Sequence, residues 1–269
     1  MSPNSLPAQT SSQRVYRSLK HDIVTCELLP GKSLSEQELC RRYHTSRTPV
    51  REACHHLEKE GLIKIIPFRG YFVAPLTMTE YHNLNEVQLV VEPAAAALAA
   101  QRATPEHLKQ IQDWAEYTYR IGNQKSYYTF LERNYRLHVG IAEASANESL
   151  CEIIAEIHTR LMRFFYLVIS VDSYGPDLVA EHREIVKAIT RRDSEQARMR
   201  SAEHIVRTIQ RSANLLLAST RSQLGFLGPA GNWPSGFPGA STDWRQLAGE
   251  AGGNDEEPSR NRRRKRKNH

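Results

Sequence analysis

Apolar residues recur at helical spacing through most of the first 220 positions and lose their period beyond them. Val15, Leu19, Ile23 and Val24 mark one face of a first helix. It stops ahead of Leu29-Pro30-Gly31, where Pro and Gly together signal a turn. Ser35-Glu36-Gln37-Glu38 has the form of a capping box, with Ser35 accepting from the backbone at Glu38 and Glu38 reaching back. A short second helix is therefore predicted from Glu36 to Tyr43, with Leu39 inward. His44-Thr45-Ser46 reads as a three-residue turn. Ser46 then caps a third helix, which tolerates Pro49 in its first turn, runs through Leu57 and stops at Gly61, a residue suited to a left-handed cap. Leu62–Ile66 and Tyr71–Val73 flank Pro67-Phe68-Arg69-Gly70, the pattern of a hairpin wing. Two helices joined by three residues and followed by a wing make a winged helix-turn-helix.

From Thr79 the pattern is helical throughout, with helices predicted at 79–102, 105–122, 126–145, 148–170, 177–191 and 193–219. Thr104-Pro105-Glu106 is a start signal and Gly122-Asn123 a stop. Short connections between such helices imply an antiparallel bundle. The chain is thus expected to be mainly α. Residues 13–76 form an N-terminal winged helix-turn-helix with a small β wing, and residues 79–220 form an all-helical C-terminal bundle. Residues 1–12 read as a disordered arm. Residues 221–269 read as a disordered Gly/Pro-rich tail, because such a composition cannot bury enough apolar surface to order itself.

Composition adds little until charge is located. The net charge of +6 divides into +4 over residues 1–76, −2 over 77–220 and +4 over 221–269. Basic ends and a mildly acidic centre suit a chain whose ends meet a polyanion. The run from Arg260 to Lys267 is basic at seven of eight positions and would add phosphate attraction without sequence preference, or act only as a solvated tail. No apolar run approaches the roughly 20 residues of a membrane span, and the N-terminus lacks a signal core, so a cytoplasmic chain with no membrane partner is expected. Cys26, Cys40, Cys54 and Cys151 lack the spacing of a disulfide framework or zinc ribbon.

The candidate chemistry falls in two places. Arg47 and Arg51, four apart at the start of the third helix, lie on one face and could fork onto guanine edges or phosphates. In the bundle, Asn134 and His138 share a face, His182 lies among Leu178, Ile185, Val186 and Ile189, and His204 lies beside the Ile205–Ile209 stripe. Imidazole nitrogens on facing helices suit a transition metal, and an Asn carbonyl can complete the site. Hydrogen-bonded core histidines are the plain alternative, and spacing alone cannot unite residues 44 and 22 positions apart. His158 sits on an apolar helix face as a further pocket candidate or a core residue. Arg160 and Arg163 are candidate pocket cations or exposed helix arginines.

The run PGKSLSEQELCRRYHTSRTPVREACHHLEKEGLIKIIPFRGYFV resembles the DNA-binding domain of the GntR family of bacterial transcription regulators. The resemblance implies that Arg47 and Arg51 contact the operator, with Ser46, Thr48 and Pro49 alongside and Gly70 at the wing tip in the minor groove. Gln37 stands where relatives often carry Arg. Residues 80–217 resemble the FCD effector-binding domain of the FadR subfamily, through N-x-x-L-H-x-x-I-A-E-A-S-A-N-x-x-L, E-H-x-x-I-V-x-A-I-x-x-x-D and E-H-I. This implies a divalent metal (Zn, Ni, Mn or Fe) at Asn134, His138, His182 and His204, with Asn giving the site one negative charge fewer than the Asp of other relatives. Gln88 occupies a position where relatives often have an Arg that holds a ligand carboxylate, and an amide cannot neutralise an acid.

The reading is a homodimeric transcription regulator, a repressor, that binds palindromic operator DNA and answers to a small carboxylic acid. A metal-dependent enzyme fused to a DNA-binding module is the alternative from another class. It would need a general base, and Glu181, the obvious candidate, should point away from the metal because it is consecutive with His182 on a helix. A constitutive DNA binder with a structural metal is the third reading.

Overall fold

The computed structural model describes residues 10–169 and 174–219. The run from Arg260 to Lys267 and the rest of the Gly/Pro-rich segment lie outside the described residues. The N-terminal unit comprises α1 (Ser11–Val24), β1 (Ser33–Leu34), α2 (Glu36–Arg42), α3 (Arg47–Lys59), β2 (Ile63–Ile66) and β3 (Gly70–Val73). Val15, Leu19, Ile23, Leu39, Val50 and Leu57 converge in one core with Leu62 and Val73, so the helical faces legible in the sequence are the faces that pack. α1 starts inside the stretch read as a disordered arm, because Thr10 and Gln13 form a reciprocal capping box. Ser35 caps α2 as expected, accepting from the Glu38 N–H at 3.1 Å, but the Glu38 carboxylate turns to Lys32 at 3.0 Å. Ser46 occupies the N-cap of α3 without a side-chain cap bond. Gly61 takes the left-handed conformation (φ 72°) that ends α3.

The wing holds a strand that the pattern does not announce. The sheet order is β1-β3-β2, all antiparallel, with Ile66 opposite Gly70 and Ser33 opposite Phe72. β1 is two residues long and is a strand only because β3 lies beside it.

The C-terminal unit comprises α4 (Met78–Arg102), α5 (Pro105–Ala115), α6 (Gln124–Ala144), α7 (Glu148–Ile169), α8 (Gly175–Thr190) and α9 (Ser194–Ser219). α4 is the central helix, packed against α6, α7, α8 and α9. Its run of buried alanines (Ala95, Ala96, Ala97, Ala99, Ala100) lets its neighbours approach closely. No described helix is long and apolar enough to cross a membrane. α5 ends seven residues short of the predicted 122. Leaving the helix lets residues 116–123 turn the Tyr119 ring into the core, 5.0 Å from Phe130 and 5.6 Å from Tyr127, while its hydroxyl accepts from the Tyr174 N–H at 2.9 Å. Tertiary packing overrides local pattern there.

Gly140 sets how deeply α6 sits. A Cβ there would lie 2.5 Å from Cζ3 of the Trp114 ring on α5. Gly140→Ala therefore sets an overpacking cost of about 1–3 kcal/mol against the roughly 1 kcal/mol that Ala gains over Gly in a helix. Net destabilisation is expected, read as a lower Tm in thermal denaturation; a variant more stable than wild type would show that α5 yields freely.

Candidate functional site

The DNA-facing candidates sit together. Ser46, Arg47 and Thr48 are exposed at the start of α3, Pro49 is half-buried beneath them, and Gln37 is exposed on α2. Arg51 is not a loose cation. Its Nε and Nη2 donate to the two oxygens of Glu36 at 2.6 and 3.1 Å, and the Tyr71 hydroxyl donates to the same carboxylate at 3.3 Å. The hydrogen bonds from Arg51 hold the Glu36 carboxyl below its usual range. α2, α3 and β3 are thus stitched at one point, and Arg51 presents a fixed guanidinium. Gly70 is not the tip of the wing: it opens β3 at φ 94°, and a Cβ there would lie 3.5 Å from the Leu34 carbonyl. Phe68 (φ 62°) is fully exposed at the tip beside Arg69.

In the bundle, topology does what spacing could not. His138 of α6, His182 of α8 and His204 of α9 converge, one nitrogen of each lying within 4.8 Å of the others. Asn134, one turn before His138, lines a pocket of about 40 Å³ together with His138 and His204. The three histidines read as possible ligands are therefore brought to one place, with Asn134 one turn away on α6. His158 of α7 joins them, its ring stacked 4.2 Å from His138. All four imidazoles are buried.

Two carboxylates orient the imidazoles from behind. Glu92 of α4 accepts from His138 Nδ1 at 2.8 Å and from His158 Nε2 at 2.6 Å, and Glu181 accepts from His204 Nδ1 at 2.9 Å. An ionised carboxylate only accepts, so Nδ1 of His138 and of His204 donates to it and Nε2 is the nitrogen left to face an ion. Burial raises the Glu92 carboxyl, but the charges and hydrogen bonds of His138 and His158 outweigh it and hold Glu92 well below the usual range. Burial likewise raises Glu181, and bonds from His204 and Arg211 hold it at about 2. Burial, then the neighbouring histidines, pulls His182 well below the ordinary imidazole range. Its Nε2 is buried without a hydrogen-bond partner. Three clustered imidazoles, one of them with its Nε2 orphaned in the interior, fit a borderline divalent metal.

The other pocket candidates divide. Gln88 lines the pocket but its amide donates to Glu92 at 2.7 Å. Arg160 and Arg163 do not reach it, nor are they both exposed. Arg160 binds Glu80 at 2.9 Å and lies against Gly61. Arg163 is completely buried and donates from Nη1 to the Ala74 carbonyl at 2.7 Å. The cation lining the pocket is Arg211 of α9, which forks onto Glu181 at 2.7 and 2.9 Å. The sequence pattern does not single out Arg211 or Glu92, although Arg211 follows His204 by seven and Glu92 follows Gln88 by four, both same-face spacings. Glu181 faces the outer nitrogen of His204 and is tied to Arg211, an orienting position that leaves it no room to act as a base.

Comparison with known proteins accords with both halves. Residues 11–73 match the model of bacterial regulatory proteins of the gntR family, and residues 83–207 match the FCD domain. The chain is 29% identical over 201 residues to the HTH-type transcriptional repressor RspR of Escherichia coli (strain K12), covering 74% of this chain and 87% of that protein. It is 28% identical over 221 residues to the galactonate operon transcriptional repressor of the same organism, covering 74% and 96%. The fold is similar to the solved structure of E. coli McbR/YncC, with a TM-score of 0.62 at 22% identity over 77% of this chain and 98% of that one. These relatives are transcriptional regulators, not enzymes. A winged helix-turn-helix of the gntR type joined to an FCD bundle places the chain in the GntR family of transcriptional regulators, with the FadR-like architecture.

Proposed function

We propose that the chain is a homodimeric repressor whose grip on a palindromic operator is altered by a small organic acid bound beside a divalent metal in the helical domain. The observation that carries this reading is the convergence of His138, His182 and His204 in one buried cluster, with the Nε2 of His182 orphaned. Asn134, His138, His182 and His204 would hold the ion, of a class that includes Zn, Ni, Mn and Fe. When bound, it would offer positive charge to a ligand carboxylate. Gln88 cannot neutralise an acid, so Arg211, which lines the same pocket and is shared with Glu181, is the side chain for that task. The galactonate operon repressor bears the name of a sugar acid, which is the ligand class proposed. Val87 and Val90 of α4 and Ile153 of α7 are exposed apolar residues on adjoining helices, which a second copy would cover. Two-fold symmetry then calls for a palindromic operator, and the ligand acts by favouring one setting of the two DNA-binding units over another.

Arg51 tests the DNA half. Held by Glu36, it loses little freedom on docking, so Arg51→Ala is expected to weaken binding to DNA from upstream of the chain's own gene by about 10- to 100-fold. Binding to scrambled DNA should change far less. Fluorescence anisotropy across a salt series measures both. Wild-type protein without a salt-sensitive preference for its own upstream DNA would sink the reading, and release of that DNA by sugar acids only in the presence of metal would support it.

A further inference from the structure

A divalent ion among Asn134, His138, His182 and His204 would meet no charged ligand: one amide and three imidazoles are all neutral. The bundle around it is apolar, and an uncompensated buried charge is costly. Negative charge has to come from nearby, and two carboxylates stand one imidazole away. Glu181 is already committed, with Arg211 at 2.7 Å and Arg207 at 3.7 Å sharing its charge. Glu92 is different. It is 5% exposed, and among the described residues its ion-pair partners are only His138 and His158, with no Arg or Lys. The remaining donor to it is the neutral amide of Gln88.

We infer that Glu92 is a positioning residue for the metal, which supplies from behind His138 the negative charge that Asn134 does not. This rests on the reading of the histidine cluster as a metal site. The route is direct. Glu92 Oε2 accepts a hydrogen bond from His138 Nδ1 at 2.8 Å, which fixes the ring's orientation and makes Nε2 a stronger ligand. Its other oxygen is anchored by His158 and Gln88, so the carboxylate cannot swing into the ligand position. Glu92 also lies on α4, a helix that offers the ion no ligand of its own, so the charge ties the central helix to the site. With nitrogen-rich direct donors and the carboxylate held one shell out, the site favours Zn²⁺ over the harder Mn²⁺.

Isothermal titration of the full-length protein with Zn²⁺ and with Mn²⁺ tests this, comparing wild type, Glu92→Gln, Asn134→Asp and the double variant. Wild type is expected to take one ion per protomer, with Zn²⁺ the tighter. Glu92→Gln should weaken Zn²⁺ by about 10- to 100-fold. Adding Asn134→Asp should restore most of that loss, since a carboxylate among the ligands returns the missing charge; a merely structural role for Glu92 would show no such rescue. Circular dichroism confirms that each variant is folded. If Glu92→Gln is not, Glu92→Asp keeps the charge but draws it back by a methylene, and should give a smaller loss that Asn134→Asp again offsets. Unchanged Zn²⁺ affinity in a folded Glu92→Gln or, in its place, Glu92→Asp overturns the inference. So does a failed rescue, or two ions per protomer falling to one in Glu92→Gln, which would make Glu92 a ligand with His138 and His158. A wild type that takes up neither ion overturns the metal reading itself, and this inference with it.

Discussion

His138→Ala is expected to abolish the stabilisation that added metal gives the helical domain. An ion that binds the native state alone contributes about 4 kcal/mol when present at about 1,000 times its dissociation constant, and none once the site is broken. His138 is the residue whose loss is felt most widely, because it adjoins every other part of the site: its ring lies 5.4 Å from His182, 5.3 Å from His204 and 4.2 Å from His158, and its Nδ1 donates to Glu92. The comparison with His158→Ala is informative. His158 stacks on His138 and touches Glu92 but is not one of the three clustered imidazoles of His138, His182 and His204, so that variant should keep most of the metal response. Thermal unfolding with excess Zn²⁺ and with a chelator gives the difference for each protein. A wild type indifferent to metal, or a His138→Ala variant that responds fully, would remove the three-histidine cluster as the metal position.

What could be read from the residues follows how local each signal is. The turn at Pro30-Gly31, the Ser35 cap and the left-handed Gly61 are decided within a few positions, so the helix-turn-helix is legible from them. β1 is not, because two residues become a strand only when Tyr71 and Phe72 arrive from nearly 40 positions away. The early end of α5 is illegible for the same reason, since the helical pattern continues while Tyr119 answers to Phe130 and Tyr174. In the site, residue type alone offered histidines that might equally have been core residues; the family resemblance selected among them, and the crossing of α6, α8 and α9 brings them together. Glu92 depends on the register of α4 against α6 and α7, which no single-helix pattern encodes. Arg163 shows the opposite error: an arginine on an amphipathic helix suggests solvent or a ligand, and it is wholly interior.

Arg163→Ala is expected to destabilise the protein by about 2–5 kcal/mol, the range for emptying a large buried side chain, whereas Arg163→Met should stay within about 1 kcal/mol of wild type. The guanidinium is a costly occupant. Its Nε and Nη2 have no hydrogen-bond partner, Glu80 stands 3.9 Å away, and burial pulls its pKa down to about 10. A methionine fills the same space, and removing a desolvated cation offsets the bond lost to the Ala74 carbonyl. If stability does not require the charge, its work is to be sought in position. Ala74 follows β3 and precedes α4, so Arg163 grips the connection between the two domains, and Arg160 on the same helix packs on Gly61 at the end of α3. One turn further along, α7 presents Phe165, Val168 and Ile169 to the pocket. α7 thus touches both the histidine pocket and the DNA-binding unit, as α6 also does through Tyr128 against His21. In Arg163→Met, metal affinity should be unchanged while the effect of bound acid on operator affinity shrinks, because the helix still senses the pocket but no longer holds the connection. Anisotropy titrations of operator DNA with and without sugar acid, run beside thermal melts of Met and Ala variants, separate the two roles. A Met variant as unstable as Ala would make Arg163 a structural strut, and one with an undiminished ligand response would move the coupling elsewhere.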